Sequence, residues 1–203
     1  LYPMPLLPEK NAILNRNTTV VLNSTVIDDC SEFVENASVE WYDENWDSIA
    51  NGYNTTWLIP GDYPLGLHVF YVNATKTHYD RGSNSTTWYI YGWSEISEIS
   101  PSSGSEFSAG LTVAVKCTIT DANTGSPLPN YPVKFYKNGS LQYTGATDAN
   151  GVATWQWDTS PELPGWYNIS CRIENNSQMY YNVSKELAYT LIRIRRPLKI
   201  VSI

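Results

Sequence analysis

Apolar and polar residues alternate along much of the chain with a period of two. From Leu111 the sequence reads Leu-Thr-Val-Ala-Val-Lys-Cys-Thr-Ile-Thr, so apolar side chains and one cysteine occupy every second position up to Ile119. Because successive side chains of a β-strand point to opposite faces, this pattern predicts a strand with one buried face. The same alternation from Trp166 to Ile173 predicts a second such strand and places Asn168 on its solvent face.

Short turn sequences separate the predicted strands. They are Asn123-Thr124-Gly125, Asn138-Gly139, Asp148-Ala149-Asn150-Gly151 and Pro164-Gly165. Glycine and asparagine adopt the backbone conformations that tight turns require. We find no convincing amphipathic helix pattern with a period of 3.6 residues. The sequence therefore predicts an all-β chain with short connections.

The predicted strands occur twice in the same order. Residues 19–28 align with residues 112–121 at an offset of 93. Three further matches follow, and their offset drifts only to 99: Val39–Tyr42 with Val133–Tyr136, Thr55–Trp57 with Ala153–Trp155, and Pro64–His68 with Leu163–Tyr167. This internal repeat predicts two domains, residues 1–93 and 94–203, with the boundary near Trp93.

Composition and charge narrow the classes of function. The 203 residues include eight Trp and fifteen Tyr, which supply apolar surface for a packed core, while only 16% are charged. The net charge of -7 leaves no basic field for phosphate, so we expect no nucleic-acid partner. No apolar run approaches the ~20 residues of a membrane span. The first residues lack the features of a signal peptide, so we interpret the chain as a mature or excised ectodomain.

Acceptor sequences for N-glycosylation, Asn-x-Ser/Thr, are unusually frequent. They begin at Asn17, Asn23, Asn36, Asn54, Asn73, Asn84, Asn138, Asn168, Asn175 and Asn182. Composition alone would produce about three such sequences, against the ten present. Dense N-glycosylation outside the cell explains the excess, and a β surface rich in Ser, Thr and Asn is the alternative.

Two units of this size with short, closely spaced strands fit two tandem immunoglobulin-like β-sandwich domains. Residues 121–135, Asp-Ala-Asn-Thr-Gly-Ser-Pro-Leu-Pro-Asn-Tyr-Pro-Val-Lys-Phe, and residues 146–154, Ala-Thr-Asp-Ala-Asn-Gly-Val-Ala-Thr, resemble the tandem immunoglobulin-like repeats of invasin/intimin-type and archaeal surface proteins. The resemblance covers most of the second unit and, through the repeat, the first unit more weakly. It implies an extracellular rod, lattice or appendage, and with the dense acceptor sequences it implies an archaeal surface glycoprotein.

The resemblance to immunoglobulin-like repeats also indicates how the cysteines pair. An immunoglobulin-like sandwich joins its second and penultimate strands by a disulfide. The repeat alignment places Cys117 and Cys171 on the inward faces of those strands in the second unit, where the first unit has Ser24 and Val72. We therefore expect a Cys117–Cys171 disulfide, with two buried thiols as the alternative. Cys30 is left over, as a free thiol or an intersubunit bond.

Residues for catalysis or metal binding are scarce. The only histidines are His68, which aligns with a core tyrosine, and His78 in a predicted loop, so neither a catalytic triad nor a two-histidine metal site can be assembled. We expect no enzyme activity, no metal and no cofactor. Two carboxylate clusters could bind Ca²⁺, but solvated loop charges explain them equally well. The clusters are Asp28, Asp29, Glu32, Glu35 and Asp43, Glu44, Asp47.

The eight tryptophans allow two interpretations, because indole rings either fill a core or stack on sugars. The set at inward positions, assigned to the core, is Trp41, Trp57 and Trp155. The set expected to be exposed is Trp46, Trp93 and Trp157.

Apolar segments lie at both ends of the chain. We interpret the last dozen residues as the opening strand of a further unit, which should pair with a following domain or a neighbouring subunit. The predicted assembly contacts are Leu191, Ile194, Leu198 and Ile200. At the other end, prolines at positions 3, 5 and 8 lead us to expect that residues 1–7 pack by side chains rather than by full strand pairing.

These observations predict a non-enzymatic structural glycoprotein of the cell surface. It would self-associate through sheet edges and terminal strands into an extracellular filament, sheath or S-layer. Two alternatives remain open: an adhesin or carbohydrate-binding module of a larger secreted protein, and an accessory domain pair of a secreted hydrolase.

Overall fold

A computed structural model describes residues 1–196. Every helix or strand element in this range is a β-strand, which confirms the all-β prediction. None of these residues forms a helix of the length and apolarity that crossing a membrane requires. The described residues divide into two compact units, residues 1–92 with 177–180 and residues 93–176 with 181–196.

The first unit contains two sheets. Its strands are β1 (Tyr2–Leu7), β2 (Ile13–Asn15), β3 (Thr19–Ile27), β4 (Ser38–Tyr42), β5 (Ser48–Asn51), β6 (Asn54–Leu58), β7 (Gly66–Thr75) and the first part of β8 (Gly82–Ser100). One sheet has the order β1-β3-β6, and the other has the order β5-β4-β7-β8, with β2 also on β8. Only β2 runs parallel to its neighbour.

The second unit repeats this plan. Its strands are the last part of β8, β9 (Glu106–Ser108), β10 (Thr112–Asp121), β11 (Pro132–Lys137), β12 (Ser140–Ala146), β13 (Val152–Asp158), β14 (Gly165–Arg172), β15 (Tyr181–Lys185) and β16 (Leu187–Arg195). The sheets have the orders β8-β10-β13 and β12-β11-β14-β16-β9. Again one short strand, β9, is parallel to its neighbour. Both units are therefore immunoglobulin-like sandwiches, as the sequence predicts.

Three aromatic rings fill the core of the first unit. Trp88 packs against Trp41 and Phe70, with ring centres 6.2 Å and 4.4 Å apart. Each indole N–H has a backbone acceptor, because Trp41 donates to the Gly52 carbonyl and Trp88 to the Pro8 carbonyl, both at 3.1 Å. The rings are thus buried without leaving a polar atom unpaired.

A disulfide crosses the core of the second unit. Cys117 on β10 and Cys171 on β14 are bonded, with their Cα atoms 6.6 Å apart and both residues fully buried. Phe135 and Trp155 pack in the same core with ring centres 6.2 Å apart. The alternation that predicted inward faces for β10 and β14 thus holds for both cysteines.

The N-terminal segment corrects one expectation. Residues 2–7 pair with β3 as an antiparallel strand, with Pro3 opposite Val26 and Pro5 opposite Ser24. The two prolines are two residues apart, so their backbone nitrogens face the same side of the strand. Because β1 is the edge strand of its sheet, a missing N–H on the side away from β3 breaks no ladder bond.

The hairpin between β11 and β12 shows how one turn is specified. Asn138 and Gly139 connect the strands with φ of 48° and 82°. Positive φ at both central residues is the requirement of a type I′ turn, which Asn-Gly satisfies at low cost. The sequence therefore sets the pairing register of β12.

Candidate functional site

The two histidines lie in different surroundings. His68 is buried, with Nδ1 at 2.9 Å from Glu44 Oε1 and Nε2 at 3.0 Å from the Pro64 carbonyl. Both ring nitrogens therefore face acceptors that hold the side chain in place. His78 lies on an exposed loop. Within residues 1–196, no hydroxyl or thiol is hydrogen-bonded to either histidine in the way a nucleophile would be.

One aspartate of each predicted carboxylate cluster stabilises a turn. Asp28 Oδ1 accepts the backbone N–H groups of Cys30 and Glu32, and Asp43 Oδ1 accepts those of Asn45 and Asp47. Such side-chain to backbone bonds are an ordinary structural use of aspartate in loops. Among the described residues, one group of three possible metal ligands is close enough together: Asp28, Asp29 and Cys30.

The second carboxylate cluster acts on a nearby tyrosine. Burial raises the pKa of Tyr63, and the negative charges of Asp43, Glu44 and Asp47 raise it further. The Tyr63 hydroxyl therefore stays protonated at pH values well above the ordinary pKa of a tyrosine.

Cys30 differs from the other two cysteines. Its side chain is exposed and forms no disulfide within the chain. An exposed cysteine is compatible both with a free thiol and with an intersubunit disulfide. Both therefore stay predictions for Cys30.

Most acceptor asparagines lie at the protein surface. The exposed ones are Asn17, Asn36, Asn54, Asn84, Asn138, Asn168 and Asn175. The half-buried ones are Asn23 and Asn182. Asn17, Asn36 and Asn138 have φ of 57°, 55° and 48°, so they occupy turn positions. Nine of the ten acceptor asparagines thus lie at or near the surface, and their glycosylation stays a prediction.

Asn73 is the exception. Only 3% of its surface is exposed in β7, where the adjacent residues Val72 and Ala74 are also fully buried although they point to the other face. Its Nδ2, the atom that would carry a sugar, is buried. A glycan cannot be attached there without displacing packed neighbours, so the structure counts against this one predicted site.

The predicted assembly contacts divide three ways. Leu191 is exposed on β16, and its contact role stays a prediction. Ile194 is 1% exposed and belongs to the core of its own unit, because it occupies an inward position of the same strand. It is therefore unavailable to another subunit. Leu198 and Ile200 lie outside the described residues.

The tryptophans also differ from the expected pattern. Trp41, Trp57 and Trp155 are buried as predicted, and Trp46 is 52% exposed. Trp157, expected at the surface, is 2% exposed and donates a hydrogen bond from Nε1 to Glu162 at 3.0 Å.

Trp46 occupies an unusual position. Its φ is 65°, a conformation that bulky residues rarely adopt. The Trp46 ring stacks on the Tyr71 ring, with centres 4.4 Å apart and planes 11° apart. The centre of the Tyr42 ring is 5.8 Å from that of Trp46. The repeat places Ser170 where the first unit has Tyr71, so the fold itself does not require this aromatic stack.

A surface of which the sequence singled out only Leu191 as a contact lies on β14 and β16. We call it the outer apolar face: Trp166, Leu187, Tyr189 and Leu191, which are 55%, 49%, 69% and 41% exposed. Asn168 lies opposite Leu191, and Trp166 lies opposite Arg193. The Arg193 guanidinium is 5.6 Å from the centre of the Trp166 ring. The sequence does predict that Trp166 faces outward, because it precedes the inward-facing Tyr167 in the same strand and successive side chains point to opposite faces.

The chain is similar to solved structures of low sequence identity. The insect immune protein hemolin is 14% identical with a TM-score of 0.50, over 96% of this chain and 47% of that one. The Yersinia pseudotuberculosis adhesin InvE is 14% identical with a TM-score of 0.43, over 95% and 58%. The Clostridium thermocellum CbhA fibronectin(III)-like modules are 12% identical with a TM-score of 0.37, over 96% and 94%. The chain thus spans about half of hemolin, and this likeness concerns fold alone.

Sequence comparison gives one family. No curated protein sequence matches the chain. The family model described as a bacterial Ig domain matches residues 95–170. That stretch begins in the last part of β8 and ends in β14, and it includes Cys117 but not Cys171. The second unit is therefore similar, over most of its length, to bacterial immunoglobulin-like domains.

Proposed function

We propose that this chain is a non-enzymatic structural glycoprotein of the cell surface, a building block of an extracellular filament, sheath or S-layer. The observation that carries the proposal is the placement of the acceptor asparagines, nine of which lie at or near the surface of a β-sandwich. The Cys117–Cys171 disulfide supports an oxidising compartment. An archaeal origin would fit the resemblance of the repeat.

The assembly contact we favour is the open edge formed by β12. This strand pairs with β11 on one side, and six of its seven residues are exposed. Its sequence, Ser-Leu-Gln-Tyr-Thr-Gly-Ala, contains neither a charge nor a proline. Those are the devices by which proteins normally prevent edge-to-edge pairing. A second copy could add its own strand here by backbone hydrogen bonds.

Cys30 offers a second contact. Its exposed thiol would allow a covalent bond between subunits. Denaturing gels of native assemblies, run with and without reductant, would reveal such a bond. The Cys30→Ser variant should then lose the reducible dimer, whereas an unchanged pattern would leave Cys30 a free thiol.

The test of the proposal uses glycosylated protein from the source organism or a host with the same glycosylation. Electron microscopy should reveal a regular assembly, and peptide mass spectrometry should find sugars on several of the nine surface asparagines. Leu141→Lys on β12 should abolish assembly because it places a charge on the open edge. The matched control is Leu67→Lys, an exposed position on β7 that pairs with Tyr89 of β8 and lies outside the β12 edge. Dispersed monomers without sugars would overturn the proposal.

A second candidate function rests on Trp46. An exposed ring that lies flat on Tyr71 and is held in a strained backbone conformation is suited to stacking on a sugar. This would make the first unit a carbohydrate-binding or adhesin module. Binding to a glycan array that disappears in Trp46→Ala and persists in Trp166→Ala would support it. If the unaltered protein binds no glycan, this second candidate function is wrong.

A further inference from the structure

The outer apolar face is an unusual surface for a soluble domain. Single exposed apolar residues are common, but here three lie at alternate positions of β16 and a tryptophan lies on the adjacent strand β14. Such a continuous patch normally has a cover. The question is what covers this one.

The position of Asn168 indicates what covers the outer apolar face. It is two residues after Trp166 on the same strand, so the two side chains share a face. On the adjacent strand it lies directly opposite Leu191, and its neighbour on the same face, Ser170, lies opposite Tyr189. A group attached to Asn168 therefore emerges in the middle of the outer apolar face.

We propose that an N-glycan on Asn168 folds back onto the outer apolar face and that its first sugar packs against Trp166. The inference rests on the proposed function, since it requires that the chain be glycosylated. Sugar rings present apolar C–H groups on their faces, and these groups pack against indole and aliphatic side chains. The contact removes apolar surface from water on both partners.

The backbone at Asn168 is held firmly, which favours this contact. Its N–H donates to Asn138 Oδ1 at 2.9 Å, and its carbonyl accepts from the Asn138 N–H at 2.7 Å. Trp166 is also restrained, because Arg193 packs over its ring and pairs with Glu106. A rigid attachment point and a rigid platform reduce the entropy lost when the sugar packs.

No other acceptor site combines these features. An aromatic residue precedes the asparagine by two positions at four sites, whose asparagines are Asn73, Asn138, Asn168 and Asn182. Asn73 is buried and Asn138 lies in a turn. Tyr180, which precedes Asn182, is half-buried against Tyr89 and Tyr91. Only Trp166 exposes more than half of its surface.

A glycan is also a better occupant than a second copy of the chain. Any sugar on Asn168 stands between the outer apolar face and a flat protein partner. It would thus keep the face from indiscriminate association while the β12 edge, on the far side of β11, stays open.

Radical footprinting read by peptide mass spectrometry tests the inference on dispersed, glycosylated protein. Removing the acceptor sequence by Asn168→Gln or Ser170→Ala should raise labelling of Trp166 about twofold, because a sugar covers roughly one face of the ring. Ser170→Ala keeps Asn168 itself. The matched control is Ser177→Ala, which removes the Asn175 site, and Trp46 is the internal reference.

The possible results separate the inference from the proposed function. Equal labelling of Trp166 with and without an occupied Asn168 would mean that the glycan points into solvent, and the inference would fail. Sugars on other sites but not on Asn168 would overturn it while leaving the proposed function intact. Absence of sugar at every site would overturn both. Protection that disappears on dilution would assign the face to a second copy instead.

Discussion

Asn138 accepts the backbone N–H of Asn168 through its side-chain oxygen, at 2.9 Å, although the two residues are 30 positions apart. The asparagine thus has a structural role besides its predicted modification. It also supplies the positive φ that the β11–β12 turn requires. Because N-glycosylation uses Nδ2 and leaves Oδ1 free, the two roles are compatible.

Substitutions at Asn138 separate these roles. In protein made without glycosylation, Asn138→Asp should keep nearly full stability, because aspartate retains the acceptor oxygen and tolerates positive φ. Asn138→Ala should lower the free energy of unfolding by about 1–2 kcal/mol, since the Asn168 N–H loses its partner and alanine is strained in the turn. Urea unfolding measures both. Equal stability of the two variants would contradict the assigned hydrogen bond.

The disulfide should stabilise the second unit alone. Cys117 and Cys171 are 54 residues apart, and closing such a loop contributes about 4 kcal/mol in the chain-entropy model. The double variant Cys117→Ala, Cys171→Ala should therefore lose amide exchange protection in β10 and β14, while β3 and β7 keep theirs. Cys30→Ser is the control. Equal loss in both units would contradict their independence.

The first unit should accept the same bridge. Ser24 and Val72 are the repeat equivalents of the cysteines, and both are buried. Within residues 1–196 the Ser24 hydroxyl has no hydrogen-bond partner, so its removal should cost little stability. The double variant Ser24→Cys, Val72→Cys should form a disulfide in air and raise the melting temperature of the first unit. Thiol titration and calorimetry measure this, and two persistently reactive thiols would show that the repeat geometry differs.

The alternation of side chains predicted the strands and most of their faces. The same alternation indicates that two residues are buried which we had expected at the surface or in an assembly contact. Trp157 follows buried Ala153 and Trp155 at a spacing of two, and Ile194 follows buried Ile192 in the same way. Applying the period strictly would have placed both in the core.

Other features could not be predicted from local pattern. β15 is an additional strand whose Tyr181 hydroxyl donates to buried Asp121 at 2.8 Å, a contact across 60 residues. Burial of Asn73 depends on how the sheet is covered, which neither its neighbours in sequence nor its acceptor motif reveals. Pairing of β1 depends on which side of the strand is open. Each of these outcomes is set by tertiary packing.

Glu162 should make the second unit sensitive to acid. Burial alone would raise the pKa of this carboxyl, but hydrogen bonds from Lys137 and Trp157, and the Lys137 charge, lower it below the ordinary value. A carboxyl with a lowered pKa in the folded state contributes stability that is complete above its unfolded pKa. That contribution is lost as the pH falls through the folded value.

The Glu162→Gln variant tests this assignment. It should be less stable than the unaltered protein at neutral pH, because the Lys137 ammonium loses its partner charge. Its melting temperature should then fall less steeply between about pH 5 and pH 3, since the titrating group is gone. Glu174→Gln is the control, because the Glu174–Lys134 pair is exposed and screened by solvent, so that its loss should change the acid profile little. An acid profile of Glu162→Gln as steep as that of the unaltered protein would assign the sensitivity to other carboxylates.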